Sequence, residues 1–148
     1  MNKFLRIIIG PISNNLIEAT LFFMRVSIGI LMIFHGLPKI MGGVSVWREI
    51  GTYIFPLGIK FLPTMWGFLG ACTEFFGGIA LALGLCTRIV SAALAFMMLV
   101  ATVWHLSINS PYKIYSFPLS LIVIFLSFII IGGGKFSLDY YLYKKGKK

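Results

Sequence analysis

The chain has 148 residues, of which 59% are hydrophobic and 11% charged, and its mean hydropathy is +0.96. A water-soluble domain of this length cannot bury so large an apolar surface, so the composition excludes that class and predicts a protein dissolved in a lipid bilayer. The formal net charge of +9 does not indicate nucleic-acid binding, because the basic residues are scattered over loops and chain ends.

Residues 1–15 precede the first long apolar segment. Lys3 and Arg6 make this stretch basic, and Gly10-Pro11 interrupts its short apolar run. Because no small-residue cleavage site follows, we do not interpret the stretch as a cleaved signal peptide. We predict instead that it lies on the membrane surface.

Four apolar segments are long enough to cross a bilayer, which takes roughly 17–25 helical residues. They lie at residues 16–35, 64–85, 89–108 and 116–133. The fourth ends in a run of glycines that is expected to stop the helix. The sequence therefore predicts an all-α fold, a four-helix transmembrane bundle that forms one domain over residues 1–148.

The longest connection, residues 36–63, contains aromatic residues that favour membrane interfaces, such as Trp47 and Tyr53. Within it, residues 44–54 are predicted to form a short amphipathic helix over the outer mouth of the bundle, and a loose connector is the alternative. The other two connections are short, so consecutive helices should be antiparallel neighbours.

The distribution of basic residues predicts the orientation in the membrane. An even number of spans puts both chain ends on one side, and that side carries most of the lysines and arginines: Lys3, Arg6, Arg88, Lys135, Lys144, Lys145, Lys147 and Lys148. The opposite side carries Lys39, Arg48, Lys60 and Lys113. By the positive-inside rule, both termini are predicted to be cytoplasmic.

Two charged residues, Arg25 and Glu74, lie at the centres of the first and second apolar segments. A charge at mid-bilayer depth costs at least ~2.5–3.5 kcal/mol on insertion scales, so each is expected to face a partner, a cavity or a ligand. Because both lie near mid-depth, we predict that they form an ion pair. The pair is either a structural salt bridge or part of a proton or ligand site.

Glycines share the helix faces that carry these charges. Small residues let transmembrane helices approach closely, so the charges are predicted to point toward neighbouring helices and away from lipid. The predicted packing positions are Gly29, Gly36, Gly70, Gly77 and Gly78.

Two histidines and a lysine, His35, His105 and Lys39, are expected nearer the outer surface. Taken alone, His35 fits a helix-capping or water-facing role somewhat better than ligand binding, but two histidines at matching depth on different helices favour a shared site. The candidate ligand or proton site therefore comprises Arg25, His35, Lys39, Glu74 and His105.

No nucleophile triad, zinc-ligand spacing or dinucleotide fingerprint occurs in the sequence, so we assign no catalytic residue and no metal site. Cys72 and Cys86 both fall on the second predicted span, about 21 Å apart along a helix. They cannot pair within one chain at that separation, so thiol–disulfide chemistry by this chain alone is not expected.

Around the charged residues, histidines and glycines described above, the chain resembles the DoxX family of small bacterial membrane proteins. The resemblance runs from about Glu18 to Tyr141 and depends on the order and spacing of short fragments. These are Leu21–Arg25 with Gly29, His35–Lys39, Glu74–Gly78, Leu81–Arg88 and Gly134–Asp139. It implies a four-helix bundle in the bacterial inner membrane. The family includes a subunit of a thiosulfate:quinone oxidoreductase and members linked to oxidative-stress complexes, so a quinone ligand and a redox partner protein are the implied associations.

Three functions fit these observations. The first is a redox-associated subunit that binds a quinone or a similar small apolar ligand in the polar interior of the bundle, with no self-sufficient catalytic motif of its own. The second is a non-catalytic membrane scaffold for a redox partner, and the third is a small proton-coupled transporter. A fourth hypothesis, haem bound between the two histidines, is less favoured than these three. The expected partners are the lipid bilayer and either a redox protein or further copies of this chain.

Overall fold

The computed structural model describes residues 13–147, and four of the helices there are long and apolar enough to cross a membrane. These are α1 (Asn14–Met41), α3 (Pro63–Leu83), α4 (Thr87–Ser107) and α5 (Tyr112–Ile131). Between α1 and α3 lie α2 (Gly43–Ile50) and a 3-10 helix (Gly51–Leu57), and α6 (Leu138–Lys145) follows α5. The predicted all-α, four-helix membrane bundle is confirmed.

Most of the predicted surface stretch, residues 1–12, lies outside the described residues. Ser13 caps α1 by accepting the backbone N–H of Leu16, so the last residues of that stretch belong to the helix. The predicted end of the first span at His35 is wrong. Helix α1 continues through Pro38 to Met41, where the Gly42 N–H donates to the Pro38 carbonyl at 2.9 Å. At 28 residues α1 is about 42 Å long, and Lys39 therefore lies in its last turn.

The segment from residue 43 to residue 57, here called the cap, folds over one end of the bundle. The predicted amphipathic helix is present as α2, and the chain then tightens into the 3-10 helix. Two glycines allow close backbone contact, because a Cβ on Gly67 would overlap the backbone of Trp47 and a Cβ on Gly51 would overlap that of Pro63. The indole N–H of Trp47 donates to the Lys39 carbonyl at 2.9 Å, which ties the cap to α1.

Contacts between glycines and backbone set how α1 and α3 pack. Gly29 lies against the backbone of Gly78 and Ala82, and Gly36 lies against that of Phe75. Helix α1 therefore runs antiparallel to α3 with residue 36 level with residue 75. The buried core lies between these two helices and α4 and α5, and comprises Met32, Leu81, Leu94, Ala95, Met98, Leu121, Phe125 and Phe128.

The other end of the bundle, here called the termini end, is held by Asp139 of α6. Its two carboxylate oxygens accept the backbone N–H groups of Cys86 and Thr87 at 2.7 and 2.8 Å, which caps the start of α4. Cys86 therefore belongs to the turn before α4, and its predicted place on the second span is wrong. The cause is Gly84, which ends α3 with φ +72°. Cys72 and Cys86 are both free.

Replacing Gly36 by alanine should destabilise the bundle, because the new methyl would lie 2.8 Å from the Phe75 Cα. Overpacking of this kind typically costs about 1–3 kcal/mol. Gly77→Ala is the matched control, since its methyl would meet only Leu94 and Val90 side chains at 3.4 Å or more. Thermal unfolding in detergent measures both, and equal midpoints for the two variants would contradict the described packing of α1 on α3.

Candidate functional site

Glu74, near the middle of α3, is paired with Lys39 of α1. The Lys39 ammonium donates to both carboxylate oxygens, at 2.6 and 2.5 Å. The Glu74 side chain is 8% exposed and that of Lys39 is 32% exposed. Lys39 satisfies the charge of a carboxylate that would otherwise lie uncompensated in the bundle.

The predicted Arg25–Glu74 pair is wrong. Arg25 is buried, but its guanidinium donates to the carbonyls of Leu81 and Ala82 at 2.9 and 2.7 Å, and to that of Phe136 at 2.9 Å. These carbonyls belong to the last turn of α3 and to the segment before α6. The antiparallel packing of α1 on α3 explains the difference, because it places residue 36 level with residue 75 and residue 25 beside the C-terminal end of α3.

Arg25 therefore stabilises the termini end and takes no part in the cluster around Glu74. Carbonyls in the last turn of a helix lack partners within the helix and carry partial negative charge, so a guanidinium is a favourable donor there. The sequence identified Arg25 as a buried charge. Its partners could not be predicted in the same way, because they are backbone carbonyls, which every residue carries, and not an acidic side chain.

The other four predicted site residues line one cavity of about 240 Å³ next to the ion pair. The cavity lies inside the cap end of the bundle, and α1, α3, α4, α5 and the cap all contribute to its walls. Its polar lining comprises His35, Lys39, Tyr53, Glu74 and His105. Its apolar lining comprises Met32, Ile50, Met98, Ala101, Ile114, Phe117, Pro118 and Leu121.

The two histidines occupy different parts of this cavity wall. His35 is exposed on α1, and its ring lies against that of Phe117 on α5, with centroids 5.1 Å apart. His105 is half-buried on α4, and its Nδ1 is 3.2 Å from the Ser110 hydroxyl. Both imidazoles line this one cavity, and the Phe117 ring of α5 lies beside that of His35.

Tyr53 of the 3-10 helix is a cavity residue that the sequence analysis treated as an ordinary interface aromatic. Its ring stacks on Trp104 at 4.9 Å with an interplanar angle of 9°, and it meets the His105 ring edge-on. Burial raises the pKa of the Tyr53 phenol above its ordinary value, and the Glu49 carboxylate adds to the effect. The phenol is therefore a neutral hydrogen-bond donor. The sequence feature that could have indicated this role is the position of Tyr53 in residues 44–54, the segment predicted to cover the outer mouth of the bundle.

The predicted packing glycines divide into two groups. Gly29, Gly36 and Gly78 lie at the tight contact of α1 with α3. Gly70 and Gly77 face α4, where added methyls would meet only side chains at 3.4 Å or more. Gly70 additionally lines a second, smaller cavity behind Glu74.

A groove of about 800 Å³ at the termini end is larger than either cavity, but its acidic groups already have partners. Asp139 caps α4, and Glu18 accepts the Lys135 backbone N–H at 2.6 Å. We therefore place the candidate site at the cap end. Within residues 13–147, no three His, Cys, Asp or Glu side chains come together as a metal site would require.

Fold and site together define a small multi-pass membrane protein with a polar, charge-paired cavity near one end of its helix bundle. A family model described as DoxX matches residues 20–107, and the chain belongs to the DoxX family. A relative from Bacillus subtilis (strain 168), named "Putative oxidoreductase CatD", is 29% identical over 136 residues. That match covers 91% of this chain and 95% of the relative. No solved structure matches the chain.

Lys39→Met should destabilise the protein by about 1–3 kcal/mol, because it leaves Glu74 without its cation. This is less than the ~3–5 kcal/mol of a fully buried pair, since Lys39 is partly exposed. In a double-mutant cycle of Lys39→Met with Glu74→Met, we expect a coupling free energy between the two residues of at least ~1 kcal/mol. By contrast, the effects of Arg25→Lys and Glu74→Met on the free energy of unfolding should be additive within ~0.5 kcal/mol. Unfolding midpoints in detergent give both values, and coupling of Glu74 to Arg25 in place of Lys39 would contradict the described pairing.

Proposed function

We propose that this protein is a redox-associated subunit of the bacterial inner membrane that binds a quinone headgroup in the cavity beside Lys39 and Glu74. The observation that carries the proposal is the cavity itself, whose lining combines apolar side chains with hydrogen-bond donors and the Glu74 carboxylate. Membership of the DoxX family and a relative described as an oxidoreductase support a redox role.

The cavity suits a single substituted ring. Sites for drug-sized ligands span ~300–1,000 Å³ and are mostly apolar with a few placed polar groups. At about 240 Å³, this cavity fits a smaller, flat molecule. His35 and Phe117 lie where α1 meets α5, which is where an isoprenoid tail would leave the bundle for the lipid.

The polar groups match the chemistry of a quinone. A quinone carbonyl oxygen is a hydrogen-bond acceptor, and Lys39, Tyr53 and the histidines are the donors that line the cavity. Reduction to the quinol takes up two electrons and two protons. We propose that the electrons come from a partner redox protein, and that Glu74 and His105 pass the protons to the carbonyl oxygens.

A non-catalytic scaffold is the second candidate, and one observation favours it. Lys39 satisfies both oxygens of Glu74 in the structure, which is what a purely structural ion pair requires. The same pairing weighs against a proton-coupled transporter of small cations, because the Lys39 ammonium already occupies the position beside the carboxylate that a cationic substrate would take.

A short-chain quinone should raise the thermal midpoint of the purified wild-type protein in a saturable way. Glu74→Gln and His105→Ala should abolish most of that shift, since each removes a polar group of the cavity. Glu18→Gln is the matched control, because Glu18 lies at the termini end and contacts Lys135. Its response should equal that of the wild type.

No shift in the wild type would reject quinone binding and leave the scaffold, which co-purification of a stoichiometric partner would then support. A shift that persists in both cavity variants would place any quinone site elsewhere.

We also propose that both termini face the cytoplasm. The exposed Cys86 lies at the termini end, so a membrane-impermeant maleimide should label it in inside-out vesicles and leave it unmodified in intact cells. A Cys72→Ala background isolates this thiol. Ser45→Cys, placed in the exposed surface of the cap in a chain lacking both native cysteines, should show the reverse pattern. Labelling of Cys86 from outside intact cells would invert the proposed topology.

A further inference from the structure

A second cavity, of about 70 Å³, lies against the same ion pair. Lys39, Tyr53 and Glu74 line both cavities, so these side chains form a partition between them. The smaller cavity, here called the rear chamber, extends under the 3-10 helix between α3 and α4. The other residues that line it are Ile50, Gly51, Ile54, Trp66, Gly67, Gly70, Met97, Val100 and Ala101.

Trp66, which lines the rear chamber, has an unusual feature. Its indole Nε1–H is buried and has no hydrogen-bond partner among the described residues. Leaving a buried donor unpaired costs about 1–3 kcal/mol, and native proteins almost always satisfy such groups with protein or water. The neighbouring indole of Trp47 shows the contrast, because it donates to the Lys39 carbonyl.

The rear chamber has the size and polarity that buried water requires. A water molecule takes up roughly 30 Å³ of liquid, so this volume holds about two of them. Such water also needs polar partners. The Trp66 N–H can donate to a water oxygen, while the Glu74 carboxylate and the Tyr53 hydroxyl can accept from it.

We propose that the rear chamber is a hydration site, in which about two water molecules link the Trp66 N–H to Glu74 and connect that carboxylate with the aqueous phase at the cap end. The role of this water as a proton source for the larger cavity rests on the proposed function. Each transfer moves one proton from a chamber water to the Glu74 carboxylate, and the water regains a proton from the solvent.

The test uses the wild-type protein in detergent or nanodiscs with its tryptophan indoles labelled with nitrogen-15. The chain has three tryptophans, and Trp66→Phe assigns the Trp66 signal. We expect the Trp66 N–H to show magnetisation transfer from water and to exchange with deuterium at least ten-fold faster than the Trp47 N–H. No water transfer, with exchange as slow as that of Trp47, would overturn the proposal.

Two matched glycine variants locate the water. Gly70→Ala adds a methyl to the wall of the rear chamber and meets only the flexible end of Met97 at 3.6 Å, so the bundle should still fold. It should reduce the water signal of Trp66 at least two-fold. Gly77→Ala, also on the α4-facing side of α3 but outside the chamber, should leave that signal unchanged. Equal effects of the two variants would contradict a hydrated chamber at this position.

The quinone measurement keeps the two proposals apart. Water at Trp66 without any quinone-dependent stabilisation would support the hydration site and reject the ligand. Quinone-dependent stabilisation with a dry Trp66 would reject the hydration site alone.

Discussion

An ionised carboxylate inside a membrane bundle has to be compensated, and in this protein the Lys39 ammonium compensates Glu74 through both of its oxygens. Several features of the structure bring these two groups together. Gly36 lets α1 approach the α3 backbone one turn away from Lys39, and Pro38 is accommodated within a helix that continues to Met41. The Trp47 indole then fixes the end of that helix by donating to the Lys39 carbonyl.

The ion pair also divides the interior. On one side is a cavity of about 240 Å³ with two histidines and largely apolar walls, and on the other is a chamber of about 70 Å³ with an unsatisfied indole donor. A carboxylate that faces a largely apolar cavity on one side and a water-sized space on the other has the position that the proposed proton transfer requires. The second charged group, Arg25, has a separate and structural task at the termini end.

Much of the fold could be predicted from the sequence, because hydropathy and segment length determine which residues can span a bilayer. The site was only partly predictable. Arg25 and Glu74 both lie at mid-segment, but the contacts of Gly29 and Gly36 set the offset between α1 and α3, and no hydropathy pattern encodes that offset. That Tyr53 lines the cavity was not predicted, for a similar reason. The position of its side chain depends on how the cap packs against Gly67 of α3.

The most direct measurement of the central claim is the distance between the Lys39 side-chain nitrogen and the Glu74 carboxyl carbon, obtained by solid-state NMR dipolar recoupling in lipid. Lysine nitrogen and glutamate Cδ are labelled in a Glu18→Gln background. Within residues 13–147, this substitution removes the other lysine–glutamate contact, that of Glu18 with Lys135. The Lys39–Glu74 pair should give strong dephasing, consistent with nitrogen–oxygen distances of 2.5–2.6 Å. Absent dephasing, together with dephasing of Glu74 by labelled arginine, would show that Arg25 is the partner and that the described ion pair is wrong.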